Sequence, residues 1–75
     1  MKTQKLIKEY ESKVLLMDTI IDKSTKAIRE LRKKPLETKD YLNETAPFIE
    51  DRKIAEAKRQ NYIQFIVDLK TLEDE

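Results

Sequence analysis

Neither cysteine nor histidine occurs among the 75 residues of this chain, and glycine is absent as well. Disulfides are therefore excluded, and so are metal centres built on thiolate or imidazole ligands. A calcium-binding loop of the EF-hand type is also excluded, because its sharp turn needs a glycine. The remaining carboxylates, lysines and hydroxyls form no nucleophile–base arrangement. We therefore expect no catalytic residue, no cofactor and no bound metal.

Long apolar runs are also missing. The longest is the four-residue run Val14 to Met17, which Asp18 ends. A signal peptide needs about 7–15 uninterrupted apolar residues, and a membrane span needs about 18 or more. A membrane-surface helix would carry a polar face rich in Lys and Arg, whereas acids and bases are mixed here. We expect a cytoplasmic protein without a membrane partner.

The charge balance is close to neutral, although 41% of the residues are charged. Sixteen basic residues against 15 acidic ones leave a net charge of +1, whereas disordered chains usually combine high net charge with low hydrophobicity. With no glycine and only two prolines, this composition is typical of long α-helices. The length allows one domain, residues 1–75.

Apolar residues recur in alternating steps of three and four along the first half of the chain, which is the heptad period of a coiled coil. Basic residues crowd the end of this pattern, where they suit the helix dipole, and Pro35 then disfavours a helical Lys34. The pattern predicts a helix over residues 4–34. The predicted core residues on this helix are Ile7, Tyr10, Val14, Met17, Ile21, Ile28 and Leu31.

A second helix is predicted over residues 46–72, because Thr45 is a good N-cap and Pro47 suits a first turn. Residues 35–46 then form a long connection, and it stays open whether residues 38–44 within it make a short third helix. The predicted fold is an all-α antiparallel helical hairpin. The core residues predicted on its second helix are Ala55, Tyr62, Phe65, Leu69 and Leu72.

Both helices also carry apolar residues outside these predicted core positions. The predicted interface residues are Leu15, Leu16, Ile63 and Val67. An antiparallel hairpin places residues 14–21 beside residues 59–66, so these side chains form one apolar belt. Because burying each contributes about 1.5–3 kcal/mol, we expect a homodimer that forms a four-helix bundle. The alternatives are that they are ordinary exposed apolar residues, or that Tyr41 and Leu42 cover part of the belt.

A basic cluster stands at the end of the first predicted helix: Arg29, Arg32, Lys33 and Lys34. Its cations stabilise a helix C-terminus. A second interpretation is a phosphate-binding patch of a nucleic-acid-associated regulatory protein. Glu30 and Glu37 dilute the patch, and no aromatic residue lies within it to stack on bases. We therefore rank a protein partner above nucleic acid.

Two segments carry a resemblance to known proteins: LIKEYESKVLLMDTIIDK at 6–23 and IAEAKRQNYIQFIVDLKTLEDE at 54–75. In composition and texture the chain resembles small Lys/Glu-rich helical proteins of unknown function from prophages and mobile elements of low-GC Gram-positive bacteria. The resemblance implies an accessory role through binding, as a small regulator, an assembly factor or an antagonist of a host protein. We therefore expect a non-enzymatic protein–protein interaction and oligomerisation module, with a protein partner that the sequence does not identify.

Overall fold

The computed structural model describes the backbone of residues 2–74 and the side chains of residues 2–73. This part of the chain forms two helices, α1 over Lys2–Arg32 and α2 over Thr38–Asp74. The two helices pack against each other, and no strand occurs within the described residues. The predicted all-α helical hairpin is confirmed.

Contacts between the helices show that they run antiparallel. Tyr10, near the start of α1, packs its ring against that of Phe65, near the end of α2, with 5.5 Å between the ring centroids. At the other end, the Arg32 Nε–H donates a hydrogen bond to the Tyr41 hydroxyl over 3.1 Å. The result is a thin rod with principal extents of 57 × 14 × 12 Å.

Helix α1 closes in a tightened last turn. The backbone N–H of Lys33 bonds to the carbonyl of Glu30, and that of Lys34 bonds to the carbonyl of Leu31, both over 3.2 Å. Such three-residue spacings satisfy the last carbonyls of a helix. Pro35 follows immediately and prevents any continuation. The observed end at Arg32 lies close to the predicted one at residue 34.

The predicted connection over residues 35–46 was wrong, because α2 already begins at Thr38 and continues through Pro47 without interruption. A separate short helix over 38–44 therefore does not exist. An interior proline removes a hydrogen bond to the carbonyl four residues earlier, here that of Asn43. Asn43 is exposed, so water can satisfy this carbonyl.

Tertiary packing explains why the helix tolerates its proline. Thr45, predicted as an N-cap, is instead fully buried inside α2, and its hydroxyl donates to the Tyr41 carbonyl over 2.8 Å. Tyr41, Phe48 and Ile49 are partly buried on either side of it. Thr45 and Pro47 locally favour the start of a helix, not its interior. This preference is outweighed because Thr45, Phe48 and Ile49 are buried or partly buried when the helix continues through the proline.

The shorter connection also changes how the helices align. Residues 14–21 were predicted beside residues 59–66, which would place Asp18 opposite a position near 62. Instead, the Arg59 Nε–H donates to the Asp18 carboxylate. The register is thus displaced by about one helical turn, because α2 starts sooner after the turn than the prediction allowed.

The predicted core residues differ in how deeply they are buried. Those with less than a tenth of their surface exposed are Ile7, Met17, Ile28, Leu31 and Ala55. Those partly buried are Tyr10, Val14, Ile21, Tyr62 and Leu69. Leu72 is 63% exposed, so its core assignment was wrong, because the helix register places it level with the polar residues Thr3, Gln4 and Lys5. Phe65 is 46% exposed but keeps its ring contact with Tyr10.

The hairpin divides into two unequal halves. We call residues 18–58 the turn half, and residues 2–17 with 59–74 the open half. Most buried side chains among the described residues belong to the turn half: Ser24, Ile28, Leu31, Thr45 and Ala55. Most exposed large apolar side chains belong to the open half: Leu6, Leu15, Leu16, Phe65, Val67 and Leu72. Much of the apolar surface of the open half is therefore exposed to solvent and is not covered by the contact between the two helices.

Candidate interaction surface

An apolar groove of about 490 Å³ runs between the helices on one flank of the open half. We call it the open-half groove. Its lining residues are Glu11, Val14, Leu15, Ile63, Ile66, Val67 and Lys70. Three of the four predicted interface residues, Leu15, Ile63 and Val67, thus share one surface, although the helix register differs from the predicted one.

Helical geometry accounts for this groove. Positions three and four residues apart share a helix face, which joins Glu11, Val14 and Leu15 on α1. The same rule joins Ile63, Ile66 and Val67 on α2. Leu15 is 67% exposed and Val67 is 50% exposed, so much of the apolar surface in the groove faces water.

An ion pair between the two helices lies next to the groove, on its side toward the turn. Arg59 and Asp18, whose side chains are bonded across the helices, lie one helical turn from Ile63 and Leu15 respectively. The other ion pairs among the described residues join positions three or four residues apart along the chain. The Arg59–Asp18 pair is partly exposed, so its contribution is modest, about 0–1 kcal/mol.

Leu16 does not belong to the open-half groove. Successive residues of a helix are rotated by about 100°, so Leu16 points away from Leu15 and lies on the same side as Ile20, which follows one turn later. It is 57% exposed. The four predicted interface residues therefore do not form a continuous belt. Three gather on one flank, and Leu16 stands on the other.

A second, smaller groove of about 330 Å³ lies on that opposite flank. The residues that line it are Met17, Ile20, Asp51, Ile54, Ala55 and Lys58. Met17 and Ala55 are already buried by the hairpin itself, and Ile54 is the exposed large apolar residue here. Lys58 is exposed. This groove leaves less apolar surface to be covered than the open-half groove.

An aromatic cluster fills the helix contact in the open half. The Tyr10 ring packs against Tyr62 with 5.8 Å between centroids and against Phe65 with 5.5 Å. The Lys13 ammonium lies 5.3 Å from the Tyr10 centroid and 5.6 Å from that of Tyr62. Cation–π attraction favours this placement. The cluster adds large, partly exposed rings to the aliphatic residues of this helix contact, whereas buried aliphatic side chains such as Ile28 and Leu31 dominate in the turn half.

The basic cluster lies at the turn end of the rod, with all four side chains exposed. Two of them have partners there. The Lys33 ammonium is paired with the Glu30 carboxylate at 3.4 Å, and Arg32 donates to Tyr41. Arg29 and Lys34 extend from the same end of α1. The turn end is thus basic, but part of its charge is already engaged within the chain.

The sequence prediction missed four residues that line the open-half groove: Glu11, Val14, Ile66 and Lys70. Val14 was assigned only to the hairpin core, and Ile66 was assigned neither to the core nor to the interface. The two charged residues carried no signal of their own, since similar residues occur on every face of these helices. Extending the heptad outward from Leu15 and Ile63 would have found them, because Glu11 precedes Leu15, and Lys70 follows Ile63, on the same side of each helix.

Other kinds of site are not evident among the described residues. No group of three or more carboxylates there is arranged to hold a metal ion. Neither α1 nor α2 has a stretch long and apolar enough to cross a membrane. No protein-family model, curated protein sequence or solved structure matches this chain. The grooves and the basic cluster on the surface of the hairpin are therefore the candidate functional sites.

Proposed function

We propose that this chain is a non-enzymatic interaction module that associates with a second copy of itself and presents the remaining helical surface to another protein. The observation that carries the proposal is the unequal division of apolar residues between the halves. The turn half covers its own core, whereas the open half leaves large apolar side chains in water. Binding is the simplest process that covers them.

The total surface area supports the proposal. A folded monomer of 9.0 kDa is expected to expose about 4,900 Å², whereas this chain exposes 6056 Å². The excess is about 1,200 Å². A stable interface of standard size buries about 800 Å² on each partner. One hairpin thus has enough surplus surface to form a dimer and still expose helical faces for a further partner.

The resemblance to small helical proteins of prophages and mobile elements adds a biological direction. Such a module would act as an accessory factor that binds a protein of its host. Pairing before binding would present each contact twice, which raises the effective affinity for a partner with two sites.

The molar mass in solution tests self-association. We expect sedimentation equilibrium of the wild-type chain to give twice the 9.0 kDa monomer mass at micromolar concentration. Dilution should shift the mass toward the monomer, because association follows mass action. A compact monomer that persists to millimolar concentration would contradict the proposal, since the exposed apolar surface would then be stable in water.

A further inference from the structure

We propose that the open-half groove is the dimer interface, and that it pairs with the same groove of a second copy about a two-fold axis parallel to the helices. This inference rests on the proposed function and specifies its partner, its surface and its symmetry. In this arrangement each α1 lies beside its own α2 and beside the α2 of the second copy. All neighbouring helices are then antiparallel, as in an up-down-up-down four-helix bundle.

The choice of flank follows from what each groove leaves exposed. On the open-half flank, Leu15, Ile63 and Val67 lie on both walls of the larger groove. On the opposite flank, Met17 and Ala55 are already buried within one chain. Burial of apolar area is the main favourable term in association, so the open-half flank gains more from a partner.

The charges at the rim favour a second copy as the occupant. Glu11 and Lys70 stand on opposite walls of the open-half groove. Side chains of a helix lean toward its N-terminus, and these two helices are antiparallel. Glu11 therefore leans toward the open end of the rod and Lys70 leans away from it. As a result, the two charged groups come to lie at a similar height along the helix axis. In a two-fold dimer, Lys70 of the second copy faces Glu11 of the first copy, and Glu11 of the second copy faces Lys70 of the first. Opposite charges therefore meet on both sides of the interface.

The same charges select the direction of the two-fold axis. If the axis were perpendicular to the helices, α1 would face α1 of the second copy. With Leu15 opposite Leu15, Glu11 would then lie within about one residue of Asp18 of the second copy. Like charges in contact oppose association. An axis parallel to the helices avoids this and matches α1 with α2.

This symmetry has a consequence for the ends of the bundle. Both turns lie at one end, so the two basic clusters, with Arg29 and Lys34, lie near each other. These side chains are exposed, so water and salt screen their repulsion. The two aromatic clusters lie together in the other half. A perpendicular axis would instead send the two turns to opposite ends.

Two adjacent leucines provide a matched test of the flank. Leu15 and Leu16 are both more than half exposed, and glutamate is a good helix former, so either substitution should leave the hairpin folded. We expect Leu15→Glu to raise the dimer dissociation constant about 100-fold or more, because both copies carry the change. Leu16→Glu should leave the constant within about threefold of wild type. Circular dichroism checks that both variants stay helical.

A charge exchange tests the pairing across the rim. Glu11→Lys and Lys70→Glu should each weaken the dimer about tenfold, since each places like charges together. The double variant should recover most of the wild-type affinity. A double variant as weak as the two single changes combined would show that these residues do not face each other.

Spin labels test the axis, and the chain has no native cysteine to interfere. A single label at Lys34→Cys should give a distance of about 10–25 Å between copies if the turns are neighbours. A perpendicular axis through Leu15 would give a label distance of about 55–60 Å. About 19 residues at 1.5 Å each separate Leu15 from Lys34, and the two copies would extend in opposite directions, which doubles that length. The longer distance overturns the proposed symmetry.

The outcomes separate this inference from the function on which it rests. A wild-type monomer rejects both. A wild-type dimer that survives Leu15→Glu and dissociates with Leu16→Glu keeps self-association but rejects this flank. A dimer lost with Leu15→Glu, kept with Leu16→Glu and showing the short label distance supports the whole proposal.

Discussion

The two halves of this hairpin use the same helices in different ways. In the turn half, Ile28 and Leu31 are buried, and Thr45 packs inside a helix that continues through a proline. In the open half, Ile7 and Met17 are buried, but the aromatic rings in the helix contact remain partly exposed, and aliphatic residues such as Leu15 and Val67 face water. A two-helix unit can thus bury its apolar side chains well at one end and leave many of them exposed at the other.

The largest expected effect comes from the core of the turn half. Ile28→Ala should lower the free energy of unfolding by about 2–5 kcal/mol, because it leaves a cavity at a buried site. A domain of this size rarely has more than about 3–5 kcal/mol of stability, so the variant should be marginally stable or unfolded. Urea titration followed by circular dichroism at fixed protein concentration measures this. The exposed Leu42→Ala in the same half is the control and should cost less than about 0.5 kcal/mol.

Replacement of the interior proline should have the next largest effect and the opposite sign. Pro47→Ala should raise the free energy of unfolding by about 3 kcal/mol, since proline is disfavoured by that amount inside a helix. The same urea titration measures the gain. Pro35→Ala in the connection is the control and should lose up to about 1 kcal/mol, because proline there restricts the unfolded chain. If Pro47→Ala instead destabilised the protein, the continuous α2 would be contradicted.

A smaller and more local effect is expected in the open half. Tyr10→Ala removes the ring that contacts both Tyr62 and Phe65, and should cost about 2 kcal/mol from lost burial and aromatic pairing. Amide hydrogen exchange should accelerate in residues 2–17 and 59–74. Tyr10→Phe, which keeps the ring, is the control. Equal acceleration in residues 18–58 would show that the halves do not differ in stability.

Much of the fold could be predicted from periodicity and from breakers. The heptad spacing placed α1 within about two residues at each end, because Pro35 is a strong local stop. The start of α2 was not predictable from the same rules. Thr45 and Pro47 resemble a helix N-terminus, and only packing against α1, which local sequence does not reveal, keeps them inside the helix. The error in the connection then shifted the predicted register.

The candidate surface was predictable only in part, for a related reason. Leu15, Ile63 and Val67 could be identified from the sequence because they are apolar but lie outside the predicted helix contact. The hairpin alone gives no reason for apolar side chains at those positions. The assignment of Leu16 to the same surface treated neighbours in sequence as neighbours in space, whereas one residue step turns the helix by about 100°. Glu11 and Lys70 became visible only when the groove between the helices was known.

The thinness of the rod limits how strongly the sequence is constrained. With cross-sectional extents of 14 and 12 Å, the protein has almost no deep interior, and very few side chains are shielded on every side. Substitutions at most positions should therefore alter what the protein touches more than whether it folds. A scaffold of this kind can exchange one binding partner for another through a few surface changes, and it keeps its shape as long as a short row of buried residues is retained.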